Sequence, residues 1–365
     1  MLEFATILAL FGLITRGVWA MYFSARRKPL CSTSKNNDPY VNFSIVVCMH
    51  NEAQHVDVLM NALLDQTPTP PEILIINDGS TDETNIKLNS FLDKNNSIRV
   101  IHLKGGGIGK KRPLATGITQ AKHNVILCTD ADCIPQSNHW AALMVEGLGT
   151  KYQLKLGVSL PTKRSGFLGK LQNFEAERIA LNYIGMAEAG YPYMGVGRNL
   201  AFLKSSWENV GGFNSHLQIA SGDDDLFVQE MVASGVTVGT ETRKEGQSNS
   251  VWPHTWRKWM NQMKRHLSTS SSYRKSTLIL LSLPVIADFM MYIGVVLEFI
   301  HSHVWIAMSI LGVNAMVRGL IFRTFLLRVG RPGRHAFMLI FEPIMGLIRQ
   351  VLSLQGLIAN PKKWT

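Results

Sequence analysis

Two kinds of apolar segment run through this chain. Between residues 43 and 129 they are short and rich in Ile and Val: FSIVVCM at Phe43–Met49, EILIIN at Glu72–Asn77, IRVIHL at Ile98–Leu103 and NVILCT at Asn124–Thr129. Continuous runs of this length, bounded by polar turns, read as strands buried on both faces. Stretches with helical spacing separate them, at Glu52–Asp65, Thr81–Leu92 and Gly109–Lys122. Strand and helix in alternation predict an α/β domain with a parallel sheet covered on both sides. Ligands of such sheets bind beyond the carboxyl ends of the strands. Here those ends read His50-Asn51-Glu52, Asp78-Gly79-Ser80 and Asp130-Ala131-Asp132. The second half is less regular, with helices predicted at Phe167–Ala189, Asp223–Ala233 and Trp256–Ser270 and a loop at Gly195–Asn199.

The second kind of segment is longer. Leu2–Phe23 is almost wholly apolar, with Arg16 its only interior charge. About 20 residues at about 1.5 Å rise span a hydrocarbon core of about 30 Å. Arg26, Arg27 and Lys28 follow the run instead of preceding it. That is the reverse of a signal peptide, so the segment reads as an uncleaved anchor with the following domain in the cytoplasm. Leu278–Ile300 and Val304–Leu327 read as spanning helices joined by His301-Ser302-His303, with a basic loop at Arg323, Arg328, Arg331 and Arg334. Phe337–Ile358 carries Glu342, Pro343, Arg349 and Gln350. Its pattern fits a spanning, re-entrant or interfacial helix. The expected organisation is a transmembrane anchor at 1–24, a linker at 25–42, an α/β domain at 43–272 and a membrane region of two to three helices at 273–365.

Composition narrows the partners. The 365 residues carry a formal charge of +11. With membrane segments on both sides of the domain, that charge suits anionic headgroups; no nucleic-acid motif accompanies it, so no nucleic-acid partner is expected. Cys31, Cys48, Cys128 and Cys133 show neither zinc spacing nor a disulfide framework, which suits a reducing compartment.

The candidate chemistry lies at the turns. In an extended segment Asp130 and Asp132 share a face, and two converging carboxylates call for a cation such as Mg²⁺ or Mn²⁺. Taken alone, the triplet reads more readily as a solvated loop. Asp78, Gly79 and Ser80 suit a tight strand-to-helix turn with capping residues. KGGGIGKKRPLA at Lys104–Ala115 fits neither a P-loop nor a dinucleotide fingerprint, since position 104 is Lys, position 110 is Lys and position 111 is Lys. Lys110 at a helix start could still meet a diphosphate. SGDDDLF at Ser221–Phe227 places three acids at a helix start. The helix dipole favours acids there, and crowding can raise the pKa of one of them to that of a general base. TWRKWMNQMKRHLS at Thr255–Ser268 has the pattern of an amphipathic interfacial helix.

In order along the chain, SIVVCMHNE, ILIINDGSTDET, GKKRPLATGI, TDADC, GVGRNLAFLKSSWENVGGF, SGDDD and QMKRH resemble the motifs of the family 2 glycosyltransferases, which have the GT-A fold, a Rossmann-like nucleotide-diphospho-sugar transferase domain. The resemblance covers Ser44 to about Ser272. It implies a nucleotide-sugar donor, with a UDP-sugar foremost, contacted by Glu52, Asp78, Lys110 and Asp130. It implies a divalent cation, Mg²⁺ or Mn²⁺, on Asp132. Asp224 would be the catalytic base when the acid run is counted from Gly222; counting back from Leu226 makes Asp223 the alternative. Arg198, Asn199, Gln262, Arg265 and His266 would hold the acceptor or the leaving diphosphate. His266 stands where the family's QxxRW motif ends in Trp. The expected protein is a multi-pass enzyme of the cell (inner or plasma) membrane with its catalytic domain in the cytoplasm. It would transfer sugar, with inversion, to a lipid-linked or glycan acceptor of the cell-envelope polysaccharide class. A processive polysaccharide synthase, a non-catalytic scaffold keeping the fold and a nucleotidyltransferase are the alternatives.

Overall fold

A computed structural model of the chain describes residues 2–24, 42–92, 95–105, 109–219, 221–332 and 340–359. Nearly all of the expected linker, Cys31, the glycine run at 106–107, Arg334 and the terminal lysines lie outside the described residues.

The first helix, α1 (Leu2–Ser24), precedes the domain. β1 (Phe43–Met49), α2 (Ala53–Leu64), β2 (Glu72–Asp78), α3 (Thr84–Leu92), β3 (Ile98–Leu103), α4 (Lys111–Gln120) and β4 (Val125–Asp130) then alternate as the hydrophobic pattern predicts. Next come β5 (Cys133–Pro135), α5 (Trp140–Val145), β6 (Leu154–Gly157), β7 (Ser159–Pro161), α6 (Gly166–Glu188), β8 (Leu200–Leu203) and α7 (Lys204–Asn209). α8 (Asp225–Ala233), β9 (Val238–Glu241), β10 (Ser248–Ser250) and α9 (Trp256–Ser268) complete the domain. α10 (Lys275–Ile300), α11 (Val304–Arg328) and α12 (Glu342–Ala359) follow.

The main sheet has the strand order β3-β2-β1-β4-β8-β6-β9. Its first four strands are parallel, as expected. β8 is antiparallel to both β4 and β6, so the sheet as a whole is mixed. A four-residue apolar run carries no information about strand direction, which is why the second half could not be read this way. A small sheet, β5-β10-β7, stands beside the carboxyl end of β4.

Alternate residues of the central strands enter opposite layers. Ile45, Val47 and Met49 join Leu59 and Leu63 of α2 on one side. Val46 and Cys48 join Leu114 and Ile118 of α4 and Phe174 of α6 on the other. This double coverage explains strands without polar alternation. Gly117 lets α4 sit close on the sheet: a Cβ there would lie 2.6 Å from Val46 Cγ1 and 3.0 Å from Ile76 Cγ1. Seated so, α4 begins at the carboxyl ends of the strands and delivers Lys110 to the rim.

Among the described residues, three helices are long and apolar enough to cross a membrane: Phe4–Phe23, Lys275–Ile300 and Val304–Arg328. The third C-terminal run forms α12, which lies against α9 and pairs Arg349 with Glu175 of α6 at 3.0 Å. α1 runs along α10 with the backbones in close approach. A Cβ on Gly12 would lie 2.5 Å from Ala287 O, and one on Gly294 would lie 2.6 Å from Ala9 N. Small residues that permit this approach are the usual means of packing helices in lipid. Because backbone atoms cannot rotate away, Gly294→Leu is expected to separate the two helices. It should lower the melting temperature of detergent-solubilised protein by roughly 5 °C. Gly17→Leu, with nothing within 4 Å of the added Cβ, should leave it unchanged.

Candidate active site

The rim begins with two turns locked together. Asn51 adopts φ 56° and its side-chain oxygen accepts from Thr81 N at 2.8 Å. Its own N–H donates to Ser80 Oγ at 3.0 Å, and Glu52 N donates to Thr84 Oγ1 at 2.9 Å. His50 Nδ1 lies 2.6 Å from the carbonyl oxygen of Asp78. Asn and Asp are the residues that tolerate a left-handed backbone and close such loops locally. Ser80, Thr81 and Thr84 are thus engaged with the neighbouring turn, and it is Asp82 Oδ1 that accepts from the N–H of Thr84, the first residue of α3, at 3.0 Å. Asp78 is buried at the end of β2, and Glu52 is half-buried beside it. The Glu52 carboxyl is pushed up to about 7, by burial and then by the neighbouring charges of Asp132, Asp130 and Asp82.

Lys110 joins two distant parts of the chain. Its ammonium pairs with Asp130 and, at 3.2 Å, with Asp223. Burial opposes a charge there, but the two carboxylates hold Lys110 firmly protonated. The adjacent Lys111 has a different task. It is buried and donates to the carbonyls of His216 (2.6 Å) and Ile219 (3.0 Å), tying the segment before the acid run to α4.

The three acids at the start of α8 have three separate surroundings. Asp223 faces Lys110, which holds its carboxyl below the ordinary range in spite of burial. Asp224 accepts from the backbone N–H of Gly197 (3.2 Å) and of Asp225 (2.8 Å). Burial, then the adjacent Asp223, raises its carboxyl to about 6. Asp225 accepts from Tyr273 Oη at 2.6 Å and is raised to about 7 by burial and by Asp224. Gly197 keeps this corner open, since a Cβ there would lie 3.4 Å from Asp223 Oδ2 and 3.5 Å from Lys110 Nζ.

The remaining predicted residues divide into two groups. Arg198 reaches towards the acids: its Nε donates to Ser159 Oγ at 3.0 Å, and its charge bears on Asp132. α9 brings its carboxyl half to the same cleft. The His266 imidazole is open to the cleft yet crowded. That crowding, with Arg265 and Arg198, holds it below the usual histidine range, while Asp223 and Asp130 pull the other way. Gln262 and Arg265 lie on this helix, both partly buried. Asn199 is a correction to the sequence reading. It is wholly buried, accepts from Trp140 Nε1 at 2.9 Å, and donates to the carbonyls of Val158 (2.9 Å) and Gly246 (3.0 Å). With its amide fully engaged inside the protein, it braces the 195–199 loop and does not face the cleft. Asn199→Ala would leave the buried Trp140 indole N–H and the Gly246 carbonyl without this partner, while the Val158 carbonyl keeps Ser248 N at 3.3 Å. It should lower unfolding stability by about 2–4 kcal/mol in a denaturant titration.

Asp130, Asp132 and Cys133 offer ligand atoms that all lie within 4.8 Å of one another. Burial and Asp130 raise the Asp132 carboxyl, as expected for two acids with too little opposing charge. Two hard oxygen donors suit Mg²⁺ or Mn²⁺, whereas the thiol is a soft donor and less suited. Cys133 Sγ is instead 3.3 Å from Asp132 Oδ1, as donor to it.

Sequence reasoning missed the braces around these acids. Ser248 Oγ meets Ser159 Oγ at 2.9 Å beneath Arg198, and Tyr273 reaches Asp225 from the segment after α9. These partners are 89 and 48 positions apart, so no local pattern marks them.

Comparison with solved structures supplies the class. The mannosyltransferase PcManGT from Pyrobaculum calidifontis, solved in complex with GDP-Man and Mn²⁺, superposes with a TM-score of 0.61. The match covers 97% of this chain and 99% of that one at 14% identity, a likeness of fold. The domain thus has the GT-A architecture, a mixed α/β sheet flanked by candidate membrane helices. Residues 44–180 match the family described as Glycosyl transferase family 2. Poly-beta-1,6-N-acetyl-D-glucosamine synthase of Staphylococcus epidermidis is 27% identical over 208 residues, 54% of this chain and 48% of that protein. The synthase of the same name from Staphylococcus aureus (strain COL) is 30% identical over 166 residues, 43% of this chain and 39% of that protein. The chain spans half or less of the length of these curated relatives. Over residues 44–180 the chain is therefore similar to the family 2 glycosyltransferases.

Proposed function

We propose that the protein is a membrane-bound inverting glycosyltransferase that moves a sugar from a nucleotide-diphosphate donor to a lipid-linked or glycan acceptor. The observation that carries this reading is Lys110, whose single ammonium draws Asp130 of the strand rim and Asp223 of the acid run into one cleft. Donor and acceptor chemistry can then share a site.

In this reading Glu52 and Asp78 contact the nucleoside, and Lys110 with Arg198 meets the diphosphate. Asp132, with Asp130 beside it, would hold a divalent cation. Such an ion, when bound, would offset charge on the departing diphosphate. A carboxylate of the Asp223–Asp224 pair takes the proton of the acceptor hydroxyl. That oxygen bonds to the anomeric carbon as the carbon–phosphate-oxygen bond breaks on the opposite side. Asp224 stands first, because a carboxyl raised to about 6 is a better proton acceptor near neutral pH than one held down by a lysine. Asp223 remains the alternative. Gln262, Arg265 and His266 hold the acceptor end.

The three apolar helices, and Arg26–Lys28 after α1 in sequence, support a multi-pass protein of the cell membrane with the domain in the cytoplasm. A second reading, processive polymer synthesis, is favoured by the relatives, which are named as synthases of a N-acetylglucosamine polymer. His266 in place of Trp offers an acceptor sugar a smaller, more polar ring to stack on and weighs against it. A screen of UDP- and GDP-sugars with membranes containing the full chain tests the function. Nucleotide diphosphate release with sugar transfer is expected, with UDP-N-acetylglucosamine tested first. Pyrophosphate release would indicate a nucleotidyltransferase, and binding without release a scaffold.

A further inference from the structure

Where α1, α6 and α11 meet α12, a small cavity opens to one side. Arg16, Trp19, Arg178, Asn182, Arg318 and Glu342 are among its walls. None of them belongs to the strand-end cleft. The charges around it are paired but do not balance. Asp288 receives Arg16 at 3.3 Å and Arg318 at 3.4 Å, and Arg318 also meets Glu342. Glu175 receives Arg178 at 2.7 Å and Arg349 at 3.0 Å. Four arginines therefore share three carboxylates, leaving one positive charge.

Two donors at this cavity lack acceptors. Arg16 Nη1 and Trp19 Nε1 are both buried without a hydrogen-bond partner among the described residues, and Trp19 is only 8% exposed. The two side chains are held together, with the guanidinium carbon 5.2 Å from the indole centroid. Buried donors are nearly always satisfied, and two unsatisfied donors in one cation–π unit ask for an oxygen-rich anion. The depth of the cavity says which kind. α1 and α11 are two of the three candidate spans, and α6 belongs to the α/β domain. Trp19 and Tyr22 stand near the end of α1, where aromatic residues mark the headgroup level. Phe23 then meets Tyr191 of the domain at 5.8 Å between ring centroids.

We propose that this cavity binds the phosphodiester of an anionic membrane lipid, with Arg16 Nη1 and Trp19 Nε1 donating to its oxygens. The lipid phosphate would balance the odd positive charge and join α1 to α6, setting the domain against the bilayer. The site is separate from the donor chemistry, so it stands or falls independently of the sugar transferred.

Native mass spectrometry of the full chain in an uncharged detergent tests it. Dioleoylphosphatidylglycerol is expected to bind about tenfold more tightly than dioleoylphosphatidylcholine, and millimolar inorganic phosphate should not displace it. Arg16→Gln and Trp19→Phe should each weaken phosphatidylglycerol binding by roughly three- to tenfold and narrow its advantage over phosphatidylcholine. Trp19→Phe keeps an aromatic face beside Arg16 while removing the N–H donor, so it decides the matter if Arg16→Gln fails to fold. Equal binding of the two lipids, wild-type affinity in Trp19→Phe, or displacement by inorganic phosphate would each overturn the proposal; the last would make the cavity a site for free anions.

Discussion

Asp132→Asn is expected to lower kcat/KM for sugar transfer by roughly 10³-fold, since a cation stabilising a leaving diphosphate is worth several kcal/mol. It should also remove the response of the rate to added Mn²⁺ or Mg²⁺. The reason lies in the charge of the rim. Asp130 is matched by Lys110, but Asp132 has only the more distant influence of Arg198 and His55. Its carboxyl is raised by burial and by Asp130, and Glu52 nearby is raised to about 7 by burial and the same acids. A cation between these groups relieves that repulsion, so activity and nucleotide binding should both fall when the ion is chelated. Asp57→Asn serves as control. Asp57 lies on the exposed face of α2 and pairs with Lys87 at 2.7 Å, and its loss should leave both quantities unchanged.

Asp224→Asn is expected to lower kcat by roughly 10²- to 10⁴-fold while nucleotide binding stays near the wild-type value, as removal of a general base does. The pH profile carries the sign. The base must be ionised to accept a proton, and the Asp224 carboxyl is raised to about 6. The wild-type kcat should therefore fall about tenfold per pH unit below 6 and level off above it. Asp223→Asn removes one of the two carboxylates that hold Lys110. It should weaken donor binding as well as the rate, because Lys110 then rests on Asp130 alone. A larger loss of kcat in Asp223→Asn than in Asp224→Asn, with donor binding intact, would transfer the role of base to Asp223.

The fold was legible where the pattern is local. Ile45, Val47, Ile73 and Leu127 lie in runs without polar alternation, and such runs can only be strands covered on both faces. Asp130 and Asp132 were read as a converging pair from alternation along an extended segment; they do converge, but Ala131 and Asp132 form the turn between β4 and β5, and the turn brings them together. The direction of β8 was not, since Leu200–Leu203 is equally apolar read either way. Nor was the fate of Asn199. Its position in the loop marks it as a site residue, and only the packing of Trp140 and Val158 shows that its amide points inward. The pairing of Lys110 with Asp223 crosses more than a hundred positions, and it depends on Gly117 seating α4 on the sheet. The four arginines around Arg16 and Glu175 are equally dispersed, coming from α1, α6, α11 and α12.

The most direct test is a structure of the full chain determined with UDP and Mn²⁺, the metal located by its anomalous signal. The account predicts one Mn²⁺ in contact with the Asp132 carboxylate and the diphosphate, with Asp223 and Asp224 facing the space beyond the terminal phosphate. Nucleotide bound with Mn²⁺ elsewhere, or bound away from the ends of β1, β2 and β4, would contradict it.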